Sequence, residues 1–91
     1  MTMLNAFVFL NCDLGTEPTI LNEINDISGV SEAVELIGVY DIVAKVSRES
    51  REDMAQSVRK ICAIPNIRSS LTMIVSEKEE HSIKQLAETV A

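Results

Sequence analysis

The residues able to do acid–base, nucleophilic or metal chemistry are few in this sequence, and they do not sit together. His81 is the only histidine, and it lies beside the charged run Glu77-Lys78-Glu79-Glu80, a solvated setting rather than a catalytic one. Neither Cys12 nor Cys62 has a histidine at a nucleophile–base or zinc-ligand spacing. Each reads as a small apolar side chain in a reducing compartment. The 14 acidic residues fall mostly on helix surfaces or at caps, where water or the helix macrodipole satisfies them. There is no glycine-rich phosphate loop. The sequence assigns no catalytic residue, no metal site and no cofactor.

Recognition of a small polar molecule fits the residue types better. Gly38-Val39-Tyr40-Asp41 stands between two apolar runs and has the composition of a hairpin turn. A bare glycine lets a ligand approach backbone N–H and C=O groups closely. Such groups suit an amino acid, with N–H donors for its carboxylate and a carboxylate such as Asp41 for its ammonium. Tyr40 can wall such a pocket. The plainer alternatives are a turn-stabilising hydrogen bond for Asp41 and an ordinary half-buried ring for Tyr40. Further along, Arg68, Ser69, Ser70 and Thr72 add polar groups. Ser70 and Thr72 share one side of an extended strand, where two hydroxyls can converge on a ligand or simply fill a sheet rim.

The elements that must position these groups follow from periodicity. Ala6 to Cys12 predicts a first strand, apolar on both faces and therefore covered on both. Pro18 suits a first helical turn, and Ile20, Leu21, Ile24 and Ile27 then recur as one apolar stripe before the Ser28-Gly29 stop. Val30 to Ile37 predicts a second strand, with Glu32 and Glu35 marking it as a sheet edge. After the Gly38–Asp41 turn, Ile42 to Val46 predicts a third. Ser50 with Asp53 opens a second helix in the manner of a capping box, carried by Met54, Val58, Ile61 and Cys62 and ended at Ile64-Pro65. Ile67 to Ser76 predicts the fourth strand. Residues 77–91 carry Ile83, Leu86, Ala87 and Val90 at helical spacing and predict a helical tail.

The order βαββαβ predicts an α+β, ferredoxin-like domain over residues 1–76, with a four-stranded antiparallel sheet and both helices on one face. The other sheet face is then bare, with Phe7, Phe9 and Ile74 expected on it. Burying a Phe or Ile side chain is worth about 1.5–3 kcal/mol, so a second copy packing sheet against sheet is the economical cover. The sequence thus predicts a dimeric αβ sandwich or barrel. In 91 residues, 46% apolar with no Trp, a partner-buried surface fits the composition. The net charge of −6, with Lys and Arg scattered among acids, excludes a phosphate-binding surface, and so argues against nucleic acid or an anionic membrane as partner. With no membrane-spanning run and no signal-peptide pattern, a cytoplasmic protein is expected.

The chain resembles the effector-binding (RAM) domain of the Lrp/AsnC transcription factors. The residues that carry the resemblance are Ala6-Phe7-Val8-Phe9-Leu10, Ile27-Ser28-Gly29-Val30, Gly38-Val39-Tyr40-Asp41, the strand Asp41 to Val46, and Ile67-Arg68-Ser69-Ser70-Leu71-Thr72. The resemblance implies dimers that assemble further, into octamers or similar rings, with amino-acid effectors bound between dimers. It implies Gly38, Val39, Tyr40 and Asp41 as the loop side of the pocket, and Ser69, Ser70 and Thr72 as contributors from strand four. The first strand begins almost at Met1, which leads us to expect a stand-alone form without the family's helix-turn-helix domain, one that senses an amino acid or co-assembles with a full-length Lrp/AsnC regulator. Two other readings share the topology. One is a small monooxygenase-like αβ-barrel enzyme, which needs polar groups inside a closed cavity where this sequence places aliphatics. The other is a ligand-free structural assembly partner. An amino-acid-binding ACT-like domain is a close relative in fold.

Overall fold

The two apolar faces of the first strand are explained by its place inside the sheet. A computed structural model describes residues 3–75. In it β1 (Leu4–Cys12) is flanked by β3 (Ile42–Arg48) and β4 (Ile67–Val75), and β2 (Val30–Glu35) forms the edge beyond β3. All pairings are antiparallel, in the order β2-β3-β1-β4. Helices α1 (Glu17–Asn25) and α2 (Arg51–Cys62) complete the βαββαβ connectivity. This is the ferredoxin-like arrangement the sequence predicts. The expected helical tail, and Ser76 at the end of strand four, lie outside the described residues.

The two sheet faces are built from alternate residues of the same strands. Ala6, Val8, Leu10 and Cys12 of β1 join Ile42, Ala44 and Val46 of β3 in a core closed by Ile20 and Ile24 of α1 and by Met54 and Ile61 of α2. Among the described residues, the apolar cluster of the opposite face contains no helix residue. There Phe7 (0% exposed) and Val43 (1%) are packed by Phe9, Leu36 and Val75. Phe9 lies opposite Val43 and Leu71, and Phe7 opposite Lys45 and Met73, so these side chains share that face. Leu71, Met73 and Val34 remain exposed. One expectation fails: Ile74 pairs with Ala6 and so points to the helical side, one residue out of phase with Phe7 and Phe9.

The helix caps follow the sequence signals. The Ser50 side chain accepts the Asp53 N–H at 3.1 Å, and Glu52 and Asp53 sit in the first turn of α2, where the dipole favours them. Pro18 opens α1, while the Thr16 hydroxyl donates to Asp13 O at 2.6 Å instead of capping. The helix ends at Asn25, ahead of Ser28-Gly29. Gly29 is fixed at φ +95°, and a Cβ there would collide with Arg48 Cδ. The Arg48 guanidinium crosses this glycine to donate to Ser28 O (3.1 Å) and to Ser57 Oγ (2.7 Å), clamping the entry of β2 to α2. β3 runs on to Arg48, past the predicted end at Val46, because Ser47 and Arg48 keep pairing with Asn5 and Leu4 of β1.

Candidate functional site

The loop between β2 and β3 is longer than a tight turn. β2 leaves the ladder after Glu35, and the Leu36 N–H donates to Asp41 O at 2.8 Å, closing a loop over residues 36–41. Gly38 sits in it at φ +147°, a conformation that strains side-chain-bearing residues, with open space where a Cβ would be. Ile37 and Val39 on either side of it are almost fully exposed. Two apolar side chains held out in water at a loop tip are a cost unless something covers them.

Asp41 anchors the loop to the central strand. Its N–H donates to Leu10 O at 2.9 Å, and its Oδ2 accepts the Cys12 N–H at 2.9 Å. The carboxylate therefore serves the architecture first, as the plainer sequence reading allowed. Tyr40 turns toward the face without helices and packs its ring on Phe9, centroids 5.4 Å apart at 50°. Beside that pair, Asn11 Nδ2 donates to Ser69 Oγ at 3.1 Å, and the register puts both on the same face as Phe9. Tyr40, Phe9, Asn11 and Ser69 thus form one rim at the sheet end where β1 stops and β3 and β4 start.

Ser70 and Thr72 do not join this rim. Ser70 pairs with Leu10 and Thr72 with Val8, so both face the helical side, and the Cys62 thiol lies 3.4 Å from Ser70 Oγ. They share a side, as predicted, but it is not the side of Ser69 and Tyr40. Within one chain the seven candidate residues therefore divide between the loop rim and the opposite face of β4.

Charge at this end is mixed. Asp13 and Arg68 approach to 3.8 Å, both well exposed, which makes the pair a weak one. Burial pushes the Cys12 thiol above its ordinary value of 9.0, a hydrogen bond with Thr16 opposes the rise, and the carboxylates of Asp41, Glu17 and Asp13 add to it. A protonated, buried thiol is a poor nucleophile. Among the described residues no group of three or more His, Cys, Asp or Glu side chains is placed to hold a metal ion. No helix of the described residues is long and apolar enough to cross a membrane.

The sequence model of the Lrp/AsnC ligand-binding domain matches residues 5–85. The chain belongs to this family. No curated protein matches it by sequence. Among solved structures, the hypothetical protein PHS023 from Pyrococcus horikoshii is 29% identical, with a TM-score of 0.75, 86% of this chain and 93% of that one being covered. AsnC from E. coli is 26% identical with a TM-score of 0.75; the match takes in 89% of this chain but 56% of AsnC. The transcriptional regulator NMB0573 from Neisseria meningitidis, solved with L-Met, is alike in fold at 12% identity and a TM-score of 0.73, with 88% of this chain and 54% of that one covered.

In this Lrp/AsnC domain the sequence reading missed Asn11 and Phe9 as rim residues. By sequence Phe9 reads only as sheet-face apolar surface, and Asn11 as part of an apolar strand. The one available signal was the polar Asn11 at the phase of Phe7 and Phe9, which places an amide on the bare face.

Proposed function

We propose that this Lrp/AsnC domain is a regulatory module that binds an amino-acid effector where subunits meet, at the rim made by the 36–41 loop. The carrying observation is that Ile37 and Val39 stand exposed at the tip of a loop anchored by three hydrogen bonds of Asp41. A rigid loop presenting apolar side chains and open backbone suits a contact with another subunit. In this reading the effector's carboxylate is taken by backbone N–H groups beside Gly38, and its ammonium by the second oxygen of Asp41. Tyr40 and Ser69 wall the pocket, while Ser70 and Thr72 serve from a different subunit, since they face away within their own chain. The L-Met carried by the Neisseria meningitidis regulator lends support for the ligand class.

The subunits pair through the helix-free sheet face, where Leu71, Met73 and Val34 are exposed, and the dimers assemble further into an octamer or similar ring. Mixed assembly with a full-length Lrp/AsnC regulator uses the same surfaces. The ligand reading is tested by thermal denaturation of the oligomer against each common amino acid. A ligand at one hundred times its Kd stabilises by about 2.7 kcal/mol, so one amino acid raises Tm in a concentration-dependent way. A folded oligomer whose Tm none of them moves refutes it. Independently, Met73→Asp lowers the sedimentation coefficient while circular dichroism keeps its shape. An unchanged coefficient removes the sheet face from the assembly.

A further inference from the structure

Two exposed apolar features of this chain lie at opposite ends of its sheet. The first is the tip of the 36–41 loop, where Ile37 is fully exposed and Val39 is 84% exposed, on either side of Gly38. The second is a groove of about 420 Å³ between β4 and α2, walled by Leu4, Met54, Val58 and Ile74, with Arg51 and Thr72 along it. Ile74 is 63% exposed there. The loop hangs from Leu10 O through the Asp41 N–H, whereas the groove lies at Leu4, the other end of β1. Leu4 to Leu10 is six steps of strand, about 20 Å. A loop closed between Leu36 and Asp41 reaches at most about half of that, so it cannot fill the groove of its own chain.

We propose that the 36–41 loop of one copy docks in the β4–α2 groove of another, seating Ile37 and Val39 against Met54, Val58 and Ile74. Each surface supplies what the other lacks, an apolar knob for an apolar trough. The knob is held ready to dock, since Asp41 ties the loop to Leu10 and Cys12 of β1. Charge agrees as well. Glu35 is exposed at the foot of the loop and Arg51 is exposed in the groove, and neither has an ion-pair partner among the described residues. A loop and a groove at opposite ends of one chain make a head-to-tail contact, which passes from copy to copy and closes into a ring where the rotation allows. Docking also carries the groove's Thr72 to Tyr40 and Asp41 of the neighbouring copy. That consequence rests on the effector site proposed above: Thr72 faces away from the rim in its own chain, and the site is complete only when a second copy brings it in.

The test is photo-crosslinking of the full chain with p-benzoylphenylalanine in place of Val39, in a sample mixed from isotope-labelled and unlabelled subunits. Mass spectrometry of the digest is expected to find position 39 joined to peptides carrying Met54, Val58 or Ile74 of a different subunit. Separately, Ile37→Asp and Ile74→Asp each lower the sedimentation coefficient to one common value with an unchanged circular dichroism spectrum. Leu14→Asp, at an exposed apolar position outside both surfaces, keeps the parent's coefficient. Crosslinks to the 36–41 loop of a second copy, to any other surface, or only within a subunit overturn the proposal. So do Ile37→Asp and Ile74→Asp variants that sediment like the parent. The effector reading is judged apart, by the amino-acid-dependent rise in Tm: crosslinks in the groove without that rise refute the effector reading and support the docking.

Discussion

Replacing Asp41 by Ala removes one hydrogen bond and leaves the backbone of the loop free to keep its other two. The bond lost is that from the Cys12 N–H to Oδ2, 2.9 Å long and partly buried. A hydrogen bond to a charged group contributes about 1.5–3 kcal/mol, and partial exposure places this one at the lower end, about 1.5 kcal/mol. The Cys12 N–H left behind has no substitute acceptor on the alanine. For a domain of this size each kcal/mol moves Tm by about 4–8 °C, so Asp41→Ala lowers Tm by roughly 6–12 °C. Asp41→Asn keeps an acceptor oxygen and loses the charge, so about half of the loss is recovered. The assay is thermal and urea denaturation at one fixed protein concentration, because the midpoint of an oligomer depends on concentration. An unchanged urea m-value ties the loss to this contact rather than to a change in compactness. The same variant, with one of the loop's two ties to β1 gone and no carboxylate left for the effector's ammonium, also loses most of the amino-acid-dependent rise in Tm. Refutation is simple to recognise: a loss below about 0.5 kcal/mol for Asp41→Ala, or an Asn variant as unstable as the Ala variant, means that the side chain does not anchor the loop.

Gly29→Ala meets two penalties, a left-handed backbone costing about 1–2 kcal/mol and displacement of Arg48 from Ser28 O and Ser57 Oγ. Urea denaturation should report a loss of about 2–4 kcal/mol that shrinks to about 1–2 kcal/mol, the backbone penalty alone, when measured in an Arg48→Ala background; strictly additive effects contradict the clamp. Alkylation at pH 8 labels the exposed Cys62 first, with Cys12 reacting only as the protein unfolds. Because folding raises the Cys12 thiol above its ordinary 9.0, the unfolded chain gives up that proton first. The contribution of Cys12 to stability is therefore complete below pH 9 and is lost as pH climbs from there through the folded-state value. A Cys12→Ala variant whose stability declines as steeply in that range as the parent's would show that another group is responsible.

The fold was legible because its signals are local and agree with one another. Strand-length apolar runs, Pro18 in a first helical turn, Ser50 three residues before Asp53 and Gly29 at a left-handed position each constrain only their neighbours, and together they permit few topologies. The edge position of β2 was readable from Glu32 and Glu35, since charges in a strand must find solvent. The Gly38–Asp41 stretch was recognisable as a loop worth watching, but its length was not. β2 ends at Glu35, opposite Ile42, and the Leu36 N–H bonds to Asp41 O, a partner five residues away that no periodicity encodes.

What the sequence determined by itself was the order of elements, the family and the residue types at the loop. What only the tertiary structure decided was the phase of each strand against its neighbours. A strand's period is two, so a shift of one residue exchanges its faces. That is why Ile74 lies beside α2 and not beside Phe7. It is also why Ser69 reaches Asn11 on the rim while Ser70 and Thr72 turn to the opposite side. The placement of Asp41 was decided in the same way. Its carboxylate ties the loop to Cys12, and the alignment of two strand ends 29 residues apart in sequence is a property of the packed sheet alone.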